Sequence, residues 1–181
     1  MKSPIIIPKY FILDVDGVMT DGNFYYSTKG KIIKVFGPDD HDALIFLKKY
    51  IHIEFITSDR LEGYKISKKR IQDDMGFKLT RVKTQDRLKW IRSKFQLSKL
   101  IFMGDGIFDS RVMKKCFYAI STSDSDEYCK KNSNFITKKK GGNRAVAEAC
   151  KHVAHNFFKK KIIWYKVKKN FKFVEGKKNT I

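Results

Sequence analysis

The chain has 181 residues, 42% of them hydrophobic, a size and composition that suit one domain around one core. Its 39 basic residues against 19 acidic give a formal charge of +20, but the lysines are spread along the whole chain and no basic-plus-aromatic reader motif accompanies them. That argues against specific nucleic-acid binding and leaves a field that attracts anionic small molecules. The apolar runs, such as Ile5 to Ile7 and Tyr10 to Leu13, are far too short to span a bilayer. Lys2 resembles the charged start of a signal peptide, but Pro4, Pro8 and Lys9 interrupt the apolar region and Asp14 and Asp16 follow at once, against that reading. Cys116, Cys129 and Cys150 form no CxxC pair, which fits free thiols in a reducing, cytoplasmic compartment.

In chain order, Tyr10 to Val15 is an apolar run ending in acids. It reads as a buried strand with Asp14 and Asp16 at its carboxyl end. Phe24 to Tyr26 and Ile32 to Phe36, separated by Ser27-Thr28-Lys29-Gly30, read as a β-hairpin with Gly30 able to take positive φ. After Gly37-Pro38, Asp39 or Asp40 can cap a helix through Ala43, Leu44 and Leu47. Ile53 to Thr57 is the second core strand. A helix over Glu62 to Met75 closes at Gly76, and Phe77 to Val82 is a weaker strand. Gln85 to Phe95 is helical, with Leu88, Ile91 and Phe95 on one stripe. Leu100 to Met103 and Phe117 to Ile120 are strands. Short helices carry Val112 and Met113 and cover Glu127 to Lys131. Phe135-Ile136 precedes a Gly141-Gly142 turn and a helix over Ala145 to Phe158. Such alternation implies an α/β fold: a parallel sheet with right-handed crossovers and helices on both faces. The segment 159–181 is basic with Trp164, Tyr165, Phe171 and Phe173 interspersed, which favours a mobile or partner-docked tail over a membrane-surface element.

Four strand-end motifs carry chemistry. Asp14-Val15-Asp16-Gly17 sets two carboxylates two apart, which point the same way on a strand. Like charges so close need a cation or a proton between them, and oxygen ligands suit Mg²⁺. Gly104-Asp105-Gly106-Ile107-Phe108-Asp109 delivers a second acid, Asp105, after an apolar strand. Asp109 either supports the ligands from behind or caps the next helix. Thr57-Ser58-Asp59-Arg60 offers a hydroxyl for a phosphoryl oxygen and a cation for an anion, or an N-cap. Lys83 and Arg87, four apart, could each neutralise a phosphoryl group. His152 and His155 lie three apart but lack metal-spaced partners, and His41 sits among acids that equally suit a solvated helix start.

Together these motifs resemble the haloacid-dehalogenase (HAD) superfamily. "FILDVDGVMTDG", the hairpin after it and "KKKGGNRAVAEAC" resemble its small-capped phosphatases for 3-deoxy-D-manno-octulosonate (KDO) 8-phosphate and nonulosonate 9-phosphates. The likeness covers roughly Tyr10 to Val153. It implies a Rossmann-like three-layer HAD fold over residues 1–158, with a β-hairpin flap at about 23–36 instead of a large cap domain. It also implies Asp14 as nucleophile, Asp16 as general acid and base, and a phosphoryl-holding hydroxyl at Ser58 rather than Thr57. The implied Mg²⁺ site uses Asp14, Asp105 and the Asp16 backbone carbonyl, with Asp109 behind them; Arg60, Gly17 and Thr20 complete the substrate contacts. The implied partners are a small phosphorylated sugar acid and further copies in a homotetramer. Three departures stand out: Asp59 replaces the expected Gly, Gly106 replaces a second Asp, and "FGPDDHDAL" lacks an expected arginine. A catalytically silent scaffold using its basic surface on anionic partners is the competing reading.

Overall fold

The computed structural model describes residues 6–160; Lys161 to Ile181, most of the basic tail, lie outside the described residues. Six parallel strands form the central sheet: β1 (Tyr10–Asp14), β4 (His52–Thr57), β5 (Lys78–Arg81), β6 (Leu100–Met103), β7 (Tyr118–Ser121) and β8 (Phe135–Ile136), in the order β5-β4-β1-β6-β7-β8. Side chains alternate across each strand. Phe11 and Leu13 of β1 enter one apolar layer with Phe55, Ile101 and Met103, while Ile12 enters the other with Ile56, Leu100 and Phe102. Strands buried on both faces explain the unbroken apolar runs in the sequence. Each wholly buried ring or branched chain contributes about 1.5–3 kcal/mol.

The first layer is covered by α1 (Asp40–Leu47) and α6 (Ala145–Phe158), which pack against each other. The segment after α2 (Leu61–Lys68) joins them through Ile71 and Met75. The opposite layer holds Ile91 of α3 (Arg87–Lys94), Val112 and Met113 of α4 (Ser110–Met113), and Cys129 of α5 (Glu127–Lys131). A separate antiparallel hairpin, β2 (Tyr25–Ser27) and β3 (Gly30–Ile33), leaves the sheet after β1 and is closed at its base by a bridge between Thr20 and Phe36.

Four local differences from expectation have physical causes. Residues 69–74 widen into a π-helix, with Met75 N–H reaching back to the Arg70 carbonyl at 3.1 Å. Gln85 and Asp86 belong to a 3₁₀ turn, so α3 begins at Arg87. Phe135-Ile136, too short to show a period, pairs with Ile120 and Ser121 as the edge strand. Neither acid proposed as a cap for α1 caps it. Asp39 accepts from Arg144 Nε at 2.6 Å, and Asp40 accepts from Ala147 N–H at 2.7 Å, so it caps α6 instead.

Candidate active site

β1 lies between β4 and β6, and the chain runs first to one side of it and then to the other. The crevice at the carboxyl ends of these strands is where open α/β sheets place their sites. Asp14 ends β1, Ser58 to Arg60 follow β4, and Asp105 follows β6. They line one cavity of about 580 Å³ with Asp16, Arg87 and Asp109, and the hairpin faces it with Phe24, Tyr26, Lys29 and Lys31.

At the base, Asp14, Asp105 and Asp109 each offer an oxygen within 4.8 Å of the others. Asp14 points to the α3 side of the sheet, where Arg87 meets it with two hydrogen bonds, Nη1 to Oδ2 at 2.8 Å and Nη2 to Oδ1 at 2.9 Å. Arg87 Nη1 also donates to Asp109. Burial pushes the Asp14 carboxyl up to about 7, with Arg87 pulling it down and Asp109 adding to the rise. Burial likewise pushes Asp105 up to about 8, helped by Asp14 and Asp109. The cluster thus holds more negative charge than one guanidinium balances, and its all-oxygen donor set fits a hard divalent cation. Gly17, at φ 80, makes the approach possible: a Cβ there would collide with the Asp105 carboxylate. Asp109 is wholly buried at the cluster, its Oδ1 accepting from Arg87 and its Oδ2 from the Gly106 N–H at 3.2 Å.

Asp16 is not aligned with Asp14. The strand stops at Asp14 and the chain turns, with Met19 N–H bonding the Val15 carbonyl at 2.8 Å, so the period of two no longer applies. The Asp16 carboxylate instead faces β4, where Thr57 Oγ1 donates to Oδ2 at 3.2 Å and Lys34 Nζ lies 2.7 Å from Oδ1. The Asp16 carboxylate is therefore not one of the oxygens gathered at the acid cluster. The same turn rests on the Gly141-Gly142 turn, whose Gly142 N–H donates to the Val18 carbonyl at 3.1 Å.

Ser58 lines the cavity while Thr57 is fully buried beneath it. Arg60, the other residue of that motif named as a substrate contact, lines the cavity. Of the two candidate cations, Arg87 is buried at the acid cluster, whereas Lys83 is exposed and away from the cavity lining. Thr20, expected among the substrate contacts, is fully buried. Its hydroxyl accepts from Gly17 N–H at 3.2 Å and Gly22 N–H at 3.3 Å, so it holds the turn together rather than facing the cavity, and Gly17 is packed beneath Asp105. Leu61 stands 81% exposed at φ 47, a left-handed backbone that a bulky side chain resists, and it lines the cavity rim.

Sequence reasoning missed one group entirely. Lys34 Nζ reaches Asp59 Oδ2 at 2.7 Å and Ser67 Oγ at 2.6 Å, and Lys31 Nζ reaches Asp59 Oδ2 at 2.5 Å. Both lysines are buried. Burial pushes the Asp59 carboxyl up, but the two lysines outweigh it and hold the group below its ordinary value. In a chain with 39 Lys and Arg residues, no local signal marks these two.

No protein-family model matches the chain. Among characterised proteins it is similar to the 3-deoxy-D-manno-octulosonate 8-phosphate phosphatases of Yersinia pestis, 26% identical over 148 residues, and of Escherichia coli, 26% identical over 151 residues; each alignment covers 78% of this chain and 77% of the relative. Among solved structures it is similar to the Moraxella catarrhalis 3-deoxy-D-manno-octulosonate 8-phosphate phosphatase in complex with a magnesium ion, a phosphate ion and KDO (TM-score 0.70, 26% identity, 81% of this chain and 86% of that one). A cobalt-bound Haemophilus influenzae enzyme described in the same terms (TM-score 0.71, 21% identity, 82% and 88%) shares the fold, as does a putative HAD-superfamily hydrolase of Legionella pneumophila (TM-score 0.71, 20% identity, 82% and 82%). The layering of helices on both faces of the sheet, the hairpin in place of a large cap and the acids at the switch point match the fold of the haloacid-dehalogenase hydrolases. Within that class the chain resembles the KDO 8-phosphate phosphatases.

Proposed function

We propose that this protein is a Mg²⁺-dependent phosphomonoester hydrolase acting through an aspartyl-phosphate, on a phosphorylated 2-keto-3-deoxy sugar acid such as KDO 8-phosphate or a nonulosonate 9-phosphate. The observation that carries the reading is the meeting of Asp14, Asp105 and Arg87 at the base of one cavity. That cavity, at about 580 Å³, has the volume expected of a small-molecule site, and cations Lys29 and Arg60 face it beyond the acids. A silent scaffold would have no need of three mutually repelling carboxylates, two of them buried and one half-buried.

Bound between Asp14, Asp105 and the Asp16 backbone carbonyl, with Asp109 adjoining, Mg²⁺ would offset the repulsion between carboxylate and phosphate. The Asp14 carboxylate attacks phosphorus in line, and the bond to the sugar oxygen breaks. Asp16 gives its proton to that leaving oxygen, then takes one from the water that hydrolyses the acyl phosphate. Ser58 Oγ and the Arg87 guanidinium hold the equatorial oxygens, Arg87 releasing one of its contacts to Asp14 as it does so. The hairpin residues Tyr25, Tyr26, Ile32, Ile33 and Val35 are each at least 42% exposed, which supports assembly of several copies through the flap, in line with a homotetramer. Three free cysteines, two of them buried, support a reducing, cytoplasmic setting.

The test is phosphate release from a panel of phosphorylated sugar acids, including 8- and 9-phosphates, with Mg²⁺ or with a chelator. Turnover is expected only with Mg²⁺ and is lost in Asp14→Ala; wild-type turnover in that variant would overturn the reading.

A further inference from the structure

The three-residue turn after β4, Ser58 to Arg60, carries a charge that looks out of place. Asp59 lines the cavity that has to admit a phosphate, where a carboxylate would repel the substrate. The hairpin answers it. Lys31, on β3, and Lys34, just beyond β3, both converge on Asp59 Oδ2, at 2.5 Å and 2.7 Å, and both side chains are at most 7% exposed. The same two lysines reach further into the site. Lys34 Nζ contacts Asp16 Oδ1 at 2.7 Å, and Lys31 Nζ lies 3.3 Å from the centroid of the Phe24 ring at the cavity rim. Space for Asp59 is made by Gly63 of α2, where a Cβ would strike the Asp59 carboxylate. Asp59 Oδ1 meanwhile accepts from the Arg60 N–H at 3.0 Å, which ties the carboxylate to its own turn.

We propose that Asp59 and Lys31 form a clasp that fixes the hairpin over the active site and cancels the Asp59 charge, making them positioning residues for substrate entry and for the Lys34–Asp16 contact. The inference rests on the phosphatase reading for its kinetic consequence, not for the clasp itself. Two buried cations on one carboxylate hold the flap at a defined height. They set Phe24 against the rim, and they leave the cavity wall without net negative charge at the turn. Residues so far apart in sequence act as one unit, so their substitutions should not combine independently.

The experiment is a double-mutant cycle on the full chain with Asp59→Asn, Lys31→Met and the pair. It is read by hydrogen–deuterium exchange at the amides of residues 25–33 and by Mg²⁺-dependent hydrolysis of p-nitrophenyl phosphate. Each single change is expected to speed hairpin exchange about tenfold, and the pair to speed it no more than the faster single. Lys31→Met is expected to raise KM about fivefold with kcat within about twofold of wild type, because Lys34 alone, shared between Asp59 and Asp16, leaves a net negative charge that opposes substrate entry; the pair should bring KM back to within about twofold. Hairpin exchange unchanged in both singles, or single effects that multiply in the pair, would overturn the clasp. A fall in kcat at constant KM for Lys31→Met would overturn its role in substrate entry. Wild-type protein that releases no phosphate would defeat the phosphatase reading alone, since the exchange arm still decides the clasp.

Discussion

Arg87 grips Asp14 with both terminal nitrogens, at 2.8 Å and 2.9 Å, and the same Nη1 also donates to Asp109. One buried cation thus aims the carboxylate at the end of β1 and partly balances the acids around it. Arg87→Lys keeps the charge but not the planar fork. We expect it to lower kcat/KM about 10²-fold, and Arg87→Met about 10³-fold, in a phosphate-release assay. Arg87→Met also strands two buried carboxylates, so urea denaturation without metal should show a loss of about 3–5 kcal/mol.

Gly17 offers a sharper test of the metal site, because it binds nothing itself. Its φ of 80 and the Asp105 carboxylate lying where a Cβ would stand make alanine doubly unwelcome. Gly17→Ala should cost about 1–2 kcal/mol in thermal unfolding without metal. By displacing Asp105 it should also weaken Mg²⁺ binding about tenfold or more, measured by calorimetry. Unaltered Mg²⁺ affinity would show that Asp105 is not held to the ion by this packing.

Much of this was legible in the sequence, and the reason is topological. Asp14, Ser58 and Asp105 each stand directly after an apolar run that forms a parallel strand, and parallel strands deliver their carboxyl ends to one edge. The direction of Asp16 was not legible, because the alternation that predicts it ends with the strand at Asp14. The choice between Lys83 and Arg87 was not legible either: it depends on where the helix begins, and the 3₁₀ turn at Thr84–Asp86 leaves Lys83 outside and turns Arg87 inward. The Asp59 pairings join residues 28 and 25 positions apart through a hairpin whose height over the sheet no local pattern encodes.

Asp40 predicts a pH dependence of stability. It is wholly buried, and Oδ1 accepts from the Ala147 N–H at 2.7 Å while Oδ2 has no hydrogen-bond partner among the described residues. Burial pushes its carboxyl up to about 6, against the pull of the Ala147 bond. The folded protein therefore binds this proton more tightly than the unfolded chain does. The contribution is present at low pH and is lost as pH rises from about 4 through about 6, on the order of 3 kcal/mol. Asparagine keeps the acceptor without the charge, so Asp40→Asn should flatten this part of the stability–pH curve measured by urea unfolding. An unchanged slope would show that another group sets it.

The two neighbouring hydroxyls at the end of β4, Thr57 and Ser58, should separate by leaving group. Ser58 lines the cavity, so Ser58→Ala would remove the bond proposed to the phosphoryl group and should lower kcat/KM about tenfold on every phosphomonoester alike. Thr57 is buried below, and its Oγ1 donates to Asp16 Oδ2 at 3.2 Å and accepts from the Asp59 N–H at 3.1 Å. Thr57→Val would leave the proposed phosphate contacts in place and loosen Asp16, the group proposed to protonate the departing oxygen. An alkyl phosphate needs that proton, whereas p-nitrophenolate leaves without it. Thr57→Val should therefore slow an alkyl phosphate about tenfold and p-nitrophenyl phosphate less than about threefold. Equal slowing of both substrates would mean that Thr57 acts on the phosphoryl group or the fold, and that Asp16 does not depend on it for proton transfer.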